Sequence, residues 1–252
     1  MAWTGRYDGA EPQRVNKWLG QSGVCSRREA EAFIAQGLVS IDGETVTDTG
    51  RKILPGQTLT LADAAGPAPL SVVLHKPMGI VSAQPEPGQV PAVRLLTREA
   101  LVSEAPYIPG RDTSLAPLGR LDMDSRGLLL LSDDGVLAKA IIGPQSDLEK
   151  EYLVTVTGRI TPEKVARLCH GLSMDGRPLK PAKVTHLHDQ NLRFVLKEGR
   201  NRQIRRMCEL VGLHVMDLVR IRIGTLRLGD LPEGRWRVLT PAERAALTAA
   251  PR

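Results

Sequence analysis

The stretch ADAAGPAPL at residues 62–70 interrupts the hydrophobic patterning of this chain with alanine, glycine and proline. Such a composition is typical of a short linker, because it favours turns and offers little apolar surface to bury. With 252 residues, the chain is long enough for two domains of unequal size. We therefore predict a small domain over residues 12–62, a linker over 63–70, a larger domain over 71–240 and a tail over 241–252.

The small domain has the pattern of a helical pair followed by a hairpin. Val15, Trp18 and Leu19 recur at helical spacing, and Ser26 with Glu29 forms an S-x-x-E capping box that predicts the start of a second helix. The segment VSIDGETV then predicts two strands around an Asp-Gly turn, and TLTL predicts a further strand. Two helices and a small sheet should form one compact unit.

The larger domain is expected to be rich in strands. GLLLLS is a short apolar run, EYLVTVT, KVTHLH and LRFVLK alternate, and VMDLVRIRIG would place Val219, Ile221 and Ile223 on one face. Asp134 is expected to cap a helix, VLAKAII, whereas the proline-rich residues 84–116 should be largely loop. The expected fold class is α+β, in which the small domain precedes a mixed, mainly antiparallel sheet flanked by helices.

Positive charge is concentrated near the C-terminal end of the larger domain. The chain has a formal net charge of +6, and residues 193–237 alone contain 11 Lys and Arg against 5 acids. In the run RQIRRMCELVG, a helical wheel puts apolar residues on one side and Arg202, Arg205, Arg206 and Glu209 on the other. Such a face can attract a polyphosphate backbone, although an ordinary solvated basic face has a similar composition.

Cysteine usage and hydropathy indicate a cytoplasmic protein. Cys25, Cys169 and Cys208 are far apart and lack C-x-x-C spacing, so reduced thiols are expected. No window approaches the roughly 18 apolar residues of a membrane span, and we expect no membrane contact. His186 and His188 share a strand face, but without a neighbouring ligand pattern they favour surface histidines over a metal site.

The loop sequence PLGRLDMDSRG contains the candidate nucleophile, Asp122. A carboxylate that is covered by a substrate remains ionised when a cation lies within hydrogen-bond reach, and a guanidinium is the strongest such partner. The downstream run EGRNRQIRRM at residues 198–207 is rich in guanidinium groups. An acid of this kind paired with an arginine-rich segment suggests an enzyme that acts on RNA.

Residues 14–61 resemble the small RNA-binding domain first named after a small-subunit ribosomal protein, and RVNKWLGQSGVCSRREAEAFIAQGLVSIDG carries the resemblance. The resemblance implies that Arg14, Lys17, Arg27 and Arg28 face RNA phosphates. Their position near the helix starts is compatible with that role, because backbone N–H groups there also favour anions. The alternative is that these four residues are plain solvent-facing charges.

Three motifs in the larger domain, GRLD, EKEYLV and GRNRQIRRM, resemble the pseudouridine synthases of the group that includes small-subunit synthase A and large-subunit synthases B, E and F. The arm SAQPEPGQVPAVRLLTREAL is most similar to the synthase F branch. The resemblance implies isomerisation of uridine to pseudouridine in ribosomal RNA, with large-subunit 23S rRNA or an assembling large subunit favoured. It implies no cofactor, no metal and no obligate protein partner, so a monomer is expected.

The same resemblance implies roles for particular residues. Asp122 would attack the sugar, Arg205 would pair with it, and Tyr152 would lie against the uracil ring and handle protons. Arg120 would enter the gap left by the flipped nucleotide, because a base inside a helix cannot otherwise reach a pocket. Ile204 would form an apolar wall. Lys150 would contact phosphate or brace the pocket. The remaining expected contacts are Gly119 and Leu121 in the substrate pocket and Arg200, Arg202 and Arg206 on RNA.

Other function classes remain open at this stage. A non-catalytic ribosomal RNA binder or assembly factor would retain the small domain and the basic run but would not need Asp122, Tyr152 and Arg205 together. A methyltransferase is disfavoured, because no G-x-G-x-G loop follows a strand. A glycosidase could use Asp122 and Asp124 as paired carboxylates, but hydrolysis would release the nucleobase that an isomerase retains.

Overall fold

The computed structural model describes residues 2–62, 69–110, 113 and 115–249. The chain divides into two compact units, one made of Met1–Pro69 with Asp134–Lys139 and the other of Leu70–Asp133 with Ala140–Arg252. Most of the predicted linker, residues 63–68, lies outside the described residues. In the part of the chain that is described, no helix is long and apolar enough to cross a membrane.

The first unit combines two short helices with small antiparallel sheets. Its sheets have the strand orders β1-β6-β3-β4 and β2-β5. The elements are β1 (Trp3–Arg6), β2 (Gln13–Arg14), α1 (Val15–Gln21), α2 (Arg27–Ala35), β3 (Val39–Ile41), β4 (Glu44–Thr45), β5 (Lys52–Ile53) and β6 (Thr58–Leu61). The predicted helical pair and hairpin are confirmed. The unit begins before the predicted start at residue 12, because β1 pairs with β6.

Local sequence signals determine how α2 begins and how the hairpin turns. The Ser26 hydroxyl accepts a hydrogen bond from the Glu29 backbone, and the Glu29 carboxylate accepts one from the Ser26 backbone at 2.6 Å, so the predicted capping box is present. Asp42 and Gly43 both have positive φ, 50° and 89°, as a tight two-residue turn requires. The core packs around Trp18, which is buried among apolar side chains of both helices and the sheet.

The second unit is built on a large mixed sheet. The strand order is β13-β14-β10-β15-β9-β7-β17, with β8 beside β9 and β16 beside β15. The strands are β7 (Ser71–Lys76), β8 (Ala116–Pro117), β9 (Arg126–Ser132), β10 (Lys150–Thr157), β11 (Ser173–Met174), β12 (Arg177–Pro178), β13 (Lys183–His186), β14 (Asn191–Leu196), β15 (His214–Ile223), β16 (Leu226–Arg227) and β17 (Trp236–Val238). Among these pairings β15 with β9 is parallel and the others are antiparallel. The predicted α+β class is therefore confirmed.

Helices follow the strands at several points. They are α3 (Gly135–Ile142), α4 (Pro162–Cys169), α5 (Gln203–Leu210) and α6 (Pro241–Thr248). Asp134 accepts hydrogen bonds from the backbone of Val136 and Leu137, which confirms the predicted cap of α3. α6 occupies residues that were predicted to be a tail. Thr240 and Glu243 form a capping box at its start.

The described part of the proline-rich segment is anchored to the sheet, although it contains little regular structure. It includes a short 3₁₀ helix, Ala92–Leu95. The indole of Trp236 on β17 donates a hydrogen bond to the Thr97 carbonyl at 2.7 Å, and the Trp236 backbone N–H donates to the Ala100 carbonyl at 3.0 Å. The prediction of a mainly irregular segment is confirmed, and its path is set by β17.

Strand β15 does not follow the simple alternation that the sequence suggested. The register against β10 pairs Glu151 with Arg222 but Tyr152 with Arg220, so Ile221 is an extra residue in a bulge. As a result Leu218, Arg220 and Ile223 are buried, whereas Val219 and Ile221 are partly exposed. The predicted face of Val219, Ile221 and Ile223 was wrong, because the bulge changes which residues point inward.

Strands β15 and β9 approach unusually closely where they run parallel. Gly127 has φ 109°, and a Cβ placed on it would lie 2.4 Å from the Arg220 carbonyl oxygen and 2.6 Å from the Arg220 nitrogen. These are backbone atoms, so a side chain at this position cannot be accommodated by a rotamer change. Glycine at 127 is required for the β9–β15 pairing.

We predict that Gly127→Ala lowers the free energy of unfolding by more than about 3 kcal/mol, because it combines backbone strain with overlap against β15. Urea denaturation of the purified protein measures the change. The matched control is Gly110→Ala, since a Cβ at Gly110 would meet no atom of the described residues within 4 Å. A loss of equal size in the two variants would contradict the close approach.

Candidate active site

A cavity of about 410 Å³ opens in the second unit between the end of the GRLD loop, the β10–β15 face and the start of α5. Its volume is in the range of small-molecule sites. It brings together residues from the three sequence motifs singled out above. The lining residues include Gly119, Arg120, Leu121, Asp122, Lys150, Tyr152, Arg200, Arg202, Ile204, Arg205, Leu218 and Arg220.

The loop that carries Asp122 is fixed by backbone contacts. The Ser82 hydroxyl donates to the Leu121 carbonyl at 2.6 Å and accepts from the Leu121 N–H at 2.9 Å. The Gly79 N–H donates to the Met123 carbonyl at 2.8 Å. Leu121 is buried, whereas the side chain of Asp122 is 36% exposed. The carboxylate therefore projects from a rigid loop into the cavity.

The ion pairs of Asp122 differ from the expected ones. An Arg202 Nη1 lies 3.7 Å from Asp122 Oδ2, and the same guanidinium donates to both carboxylate oxygens of Asp124, at 3.2 and 2.9 Å. Arg202 stands at the N-cap of α5 with φ 49°, a left-handed conformation that is uncommon for arginine. Among the described residues, the cation that lies within 4 Å of the Asp122 carboxylate is Arg202.

The expected ion pair between Asp122 and Arg205 is not formed, because Arg205 contacts Asp124 and Val215 instead. Its Nη2 donates to the Asp124 carbonyl at 2.6 Å, its Nη1 donates to the Val215 carbonyl at 3.2 Å, and its Nε lies 3.3 Å from Asp124 Oδ2. The side chain is only 10% exposed. The helical wheel had placed Arg205 on the solvent face, but these contacts turn it inward against the Asp122–Ser125 loop.

Asp124 connects both arginines to the loop. Burial raises the pKa of the Asp124 carboxyl, but the hydrogen bond from Arg202 and the charges of Arg205 and Arg202 together hold that pKa below its usual value. From the sequence, Asp124 was considered only as half of the disfavoured glycosidase pair. It is the acceptor that Arg202 and Arg205 share.

Side chains from the sheet form the opposite wall. Tyr152 and Arg220 are direct cross-strand partners and both line the cavity. Lys150 lies two residues before Tyr152 and therefore points to the same side of β10. Arg220 is almost fully buried, and it donates to the Leu128 carbonyl at 2.8 Å and to the Gly119 carbonyl at 3.0 Å. Arg220 was not identified from the sequence, because the alternation of apolar and polar residues in β15 does not reveal the bulge at Ile221.

Burial lowers the pKa values of both Lys150 and Lys76. Burial, and then the charge of Arg220, lowers the pKa of Lys150. Burial lowers the pKa of Lys76 to about 8, and the charges of Asp122 and Asp124 oppose part of that lowering. The Lys76 ammonium donates to the carbonyls of Pro77 and Ile80, at 2.8 and 2.7 Å. Those contacts hold the turn after β7.

Two arginines that were expected to contact RNA are bound within the protein. Arg200 donates to the carbonyls of Met174, Arg177 and Pro178, and so holds the β11–β12 hairpin. Arg206 forms a bidentate ion pair with Asp175 at 2.6 and 3.0 Å. These contacts engage guanidinium donors that the sequence had assigned to phosphate.

Other predicted contacts are free to meet a ligand. Arg120 is exposed at the cavity rim and forms no hydrogen bond or ion pair with any described residue. In the first unit Arg14, Lys17, Arg27 and Arg28 are all exposed, and none forms an ion pair within the described ranges. No group of three or more potential metal-binding side chains occurs among the residues that the structure describes.

The comparisons with known proteins agree with this arrangement. Residues 71–210 match the RNA pseudouridylate synthase family, and residues 13–59 match the S4 domain. The chain belongs to the RNA pseudouridylate synthase family. It is 37% identical over 235 residues to the dual-specificity RNA pseudouridine synthase RluF of Escherichia coli K12, covering 91% of this chain and 76% of the relative.

Further relatives support the same family. The chain is 33% identical over 246 residues to the ribosomal large subunit pseudouridine synthase B of Bacillus subtilis, covering 94% of this chain and 96% of that protein. A crystal structure of a pseudouridylate synthase superimposes with a TM-score of 0.64 and 29% identity, covering 93% of this chain and 99% of the other. The expected family and fold are confirmed, and the protein is an RNA pseudouridine synthase.

An ion-pair network behind the cavity holds the strand that carries Tyr152. Glu151 is buried on the other side of β10 and accepts hydrogen bonds from Arg193 Nε at 2.6 Å and Arg222 Nε at 2.5 Å. Burial raises the pKa of Glu151, but the hydrogen bonds from Arg222 and Arg193 outweigh it and lower that pKa below 4.5. Because the folded-state pKa is lowered, the ionised carboxylate stabilises the fold above the unfolded-state pKa and loses this effect as pH falls through the folded-state value.

We predict that Glu151→Gln lowers the free energy of unfolding by about 3 kcal/mol at neutral pH, because it leaves the largely buried Arg222 and the more exposed Arg193 without the Glu151 carboxylate. The difference from the unmodified protein should shrink as the pH falls below 4.5. Urea denaturation over a pH series measures it, with the exposed Glu209→Gln as the charge-matched control. A difference that stays constant with pH would contradict the assignment.

Proposed function

We propose that this synthase isomerises uridine to pseudouridine in ribosomal RNA, most specifically in 23S rRNA or an assembling large subunit, with Asp122 as the nucleophile. The observation that supports the proposal is the cavity of about 410 Å³ that Asp122 and Tyr152 both line, a volume in the range of small-molecule sites. The name of the Bacillus relative, a large-subunit synthase, supports the choice of RNA. The name of the Escherichia coli relative describes dual specificity on RNA.

The chemistry divides between two walls of the cavity. Asp122 attacks the anomeric carbon of the sugar or removes the neighbouring C2′ proton, and the bond from C1′ to uracil N1 breaks. Tyr152 lies against the uracil ring and offers its hydroxyl for proton handling, while Ile204 supplies an apolar wall. The uracil then turns, and C5 is joined to C1′. No atoms are gained or lost overall, so the reaction needs no co-substrate.

The target nucleotide has to leave its stack to enter this cavity. Unstacking costs a few kcal/mol, and a side chain that fills the gap offsets part of that cost. Arg120 is suited to this role, because it is exposed at the cavity rim two residues before Asp122 and is not engaged by another described residue. Gly119 and Leu121 hold the loop on either side of it.

Binding to the rest of the RNA is assigned to the first unit. Arg14, Lys17, Arg27 and Arg28 are exposed and free to contact phosphates. Arg200, Arg202 and Arg206 reach RNA only by exchanging their present protein contacts for phosphate. Because Asp122, Tyr152, Arg202 and Arg205 come from one chain, we propose that the enzyme acts as a monomer without an obligate protein partner.

We predict that Asp122→Asn abolishes isomerisation, with a loss of at least roughly 10³-fold, because the amide cannot act as nucleophile or base. Affinity for RNA should fall little. Tritium release from C5-labelled uridine in ribosomal RNA transcripts measures turnover, and filter binding measures affinity. The control is Asp230→Asn, an exposed acid outside the cavity. Retained turnover in Asp122→Asn would remove this residue from the mechanism, and no turnover in the unmodified enzyme on any ribosomal RNA would overturn the proposed substrate.

The two arginines near Asp122 should differ in their effects. Arg202→Met should reduce turnover while leaving the melting temperature nearly unchanged, because its side chain is 43% exposed. Arg205→Met should reduce turnover and also lower the melting temperature, because its removal leaves the carbonyls of Asp124 and Val215 without their donor. Calorimetry and the tritium assay together separate the two. A stable but inactive Arg205→Met would instead favour a direct role for Arg205 on Asp122.

A further inference from the structure

Isomerisation by either route moves a negative charge from one wall of the cavity to the other. Before the reaction the charge is on the Asp122 carboxylate. When the bond from C1′ to N1 breaks, its electron pair stays on the uracil, which becomes an anion with charge shared among N1, O2 and O4. Asp122 becomes neutral, either as an ester with C1′ or by taking the C2′ proton. When C5 bonds to C1′, the uracil charge is consumed and the carboxylate is restored, and proton transfer from C5 to N1 completes the exchange.

Most arginines at the cavity already have an acidic partner. Arg200 pairs with Glu198 at 3.5 Å, and Arg202 and Arg205 share Asp124. These cations stabilise the acid end of the cavity. They are poorly placed to hold the charge once it has moved to the base.

Arg220 and Lys150 differ from that group. Arg220 is 1% exposed, yet within the described residues it pairs with no carboxylate and uses Nε and Nη2 only on the Leu128 and Gly119 carbonyls. The Lys150 ammonium has one long hydrogen bond, 3.4 Å to the Leu148 carbonyl, and it has no acidic partner among the residues that the structure describes. A buried cation without an anion is costly unless an anion is bound beside it.

The strand register aims both cations at the position expected for the uracil ring. Arg220 is opposite Tyr152 across β10 and β15, and Lys150 is two residues from Tyr152 on the same face. The bulge at Ile221 sends Arg222 to the other face, where Glu149 and Glu151 neutralise it. The two neighbouring arginines of β15 therefore have opposite environments, one paired with acids and one facing the cavity.

We propose that Lys150 and Arg220 form an anion site that holds the detached uracil as its anion while the ring turns. This inference rests on the proposed isomerisation and adds the group that receives its charge. Lys150 is the catalytic member because its ammonium contacts the base. Arg220 contributes a fixed charge and also holds Gly119 of the loop. The lowered pKa of Lys150 is consistent with a cation that lacks an anion in the free enzyme.

The test varies how well uracil carries negative charge. Short ribosomal RNA substrates contain either uridine or 5-fluorouridine at the target position, since fluorine withdraws electrons and stabilises the departing anion. Single-turnover cleavage of the glycosidic bond is followed by nuclease digestion and mass spectrometry for the unmodified enzyme, Lys150→Met and Lys150→Arg. Lys180→Met is the matched control, because Lys180 is an exposed lysine at the rim of the same cavity. Circular dichroism verifies that each variant is folded, and Lys150→Gln repeats the test with a polar side chain.

Lys150→Met should lower the cleavage rate roughly 10²-fold with uridine. With 5-fluorouridine the rate should fall by no more than about tenfold. Lys150→Arg should restore most of the loss, and Lys180→Met should change both substrates by the same factor. Equal losses with both bases in Lys150→Met and Lys150→Gln would overturn the anion site while leaving the isomerase function intact. An unmodified enzyme that cleaves neither substrate would instead contradict the proposed function itself.

Discussion

The close contact between β9 and β15 is the constraint on which the site depends. Gly127 lets the two backbones approach at Arg220, and the bulge at Ile221 then turns Arg220 toward the cavity. From that position the Arg220 guanidinium holds the Gly119 carbonyl, three residues before Asp122. The same short segment thus shapes the sheet face to which the proposed mechanism assigns the base, and it anchors the loop that carries Asp122.

The arginine-rich run serves mainly as an internal framework. Arg200 and Arg206 hold the β11–β12 hairpin, and Arg205 binds the loop after Asp122. Arg202 is shared between Asp122 and Asp124. Charges that suggest a nucleic-acid surface in the sequence therefore bind two parts of the protein itself, the β11–β12 hairpin and the loop that carries Asp122. In the part of the chain that the structure describes, Arg14, Lys17, Arg27 and Arg28 of the first unit and Arg120 at the rim are exposed, whereas on the β10–β15 face Arg220 is buried and Lys150 is half-buried.

Local signals predicted much of the fold and the convergence of the motifs, but they did not predict the pairing of charges. The capping box of Ser26 and Glu29 and the alternation of β10 depend on neighbouring residues, so they can be read from the sequence. The partner of Arg205 depends on how α5 begins, with Arg202 in a left-handed conformation. Arg220 was hidden because one extra residue in β15 breaks the alternation. The helix at Pro241–Thr248 was missed although its T-x-x-E capping box was readable.

The central claim is that this protein converts uridine to pseudouridine in ribosomal RNA. Chemical mapping of pseudouridines in ribosomal RNA from cells with and without the gene tests it most directly. We predict that at least one uridine of the large-subunit RNA is modified only when the gene is present. The purified protein should modify the same uridine in RNA from the deficient cells. Identical maps in the two strains, with no modification added by the purified protein, would contradict it.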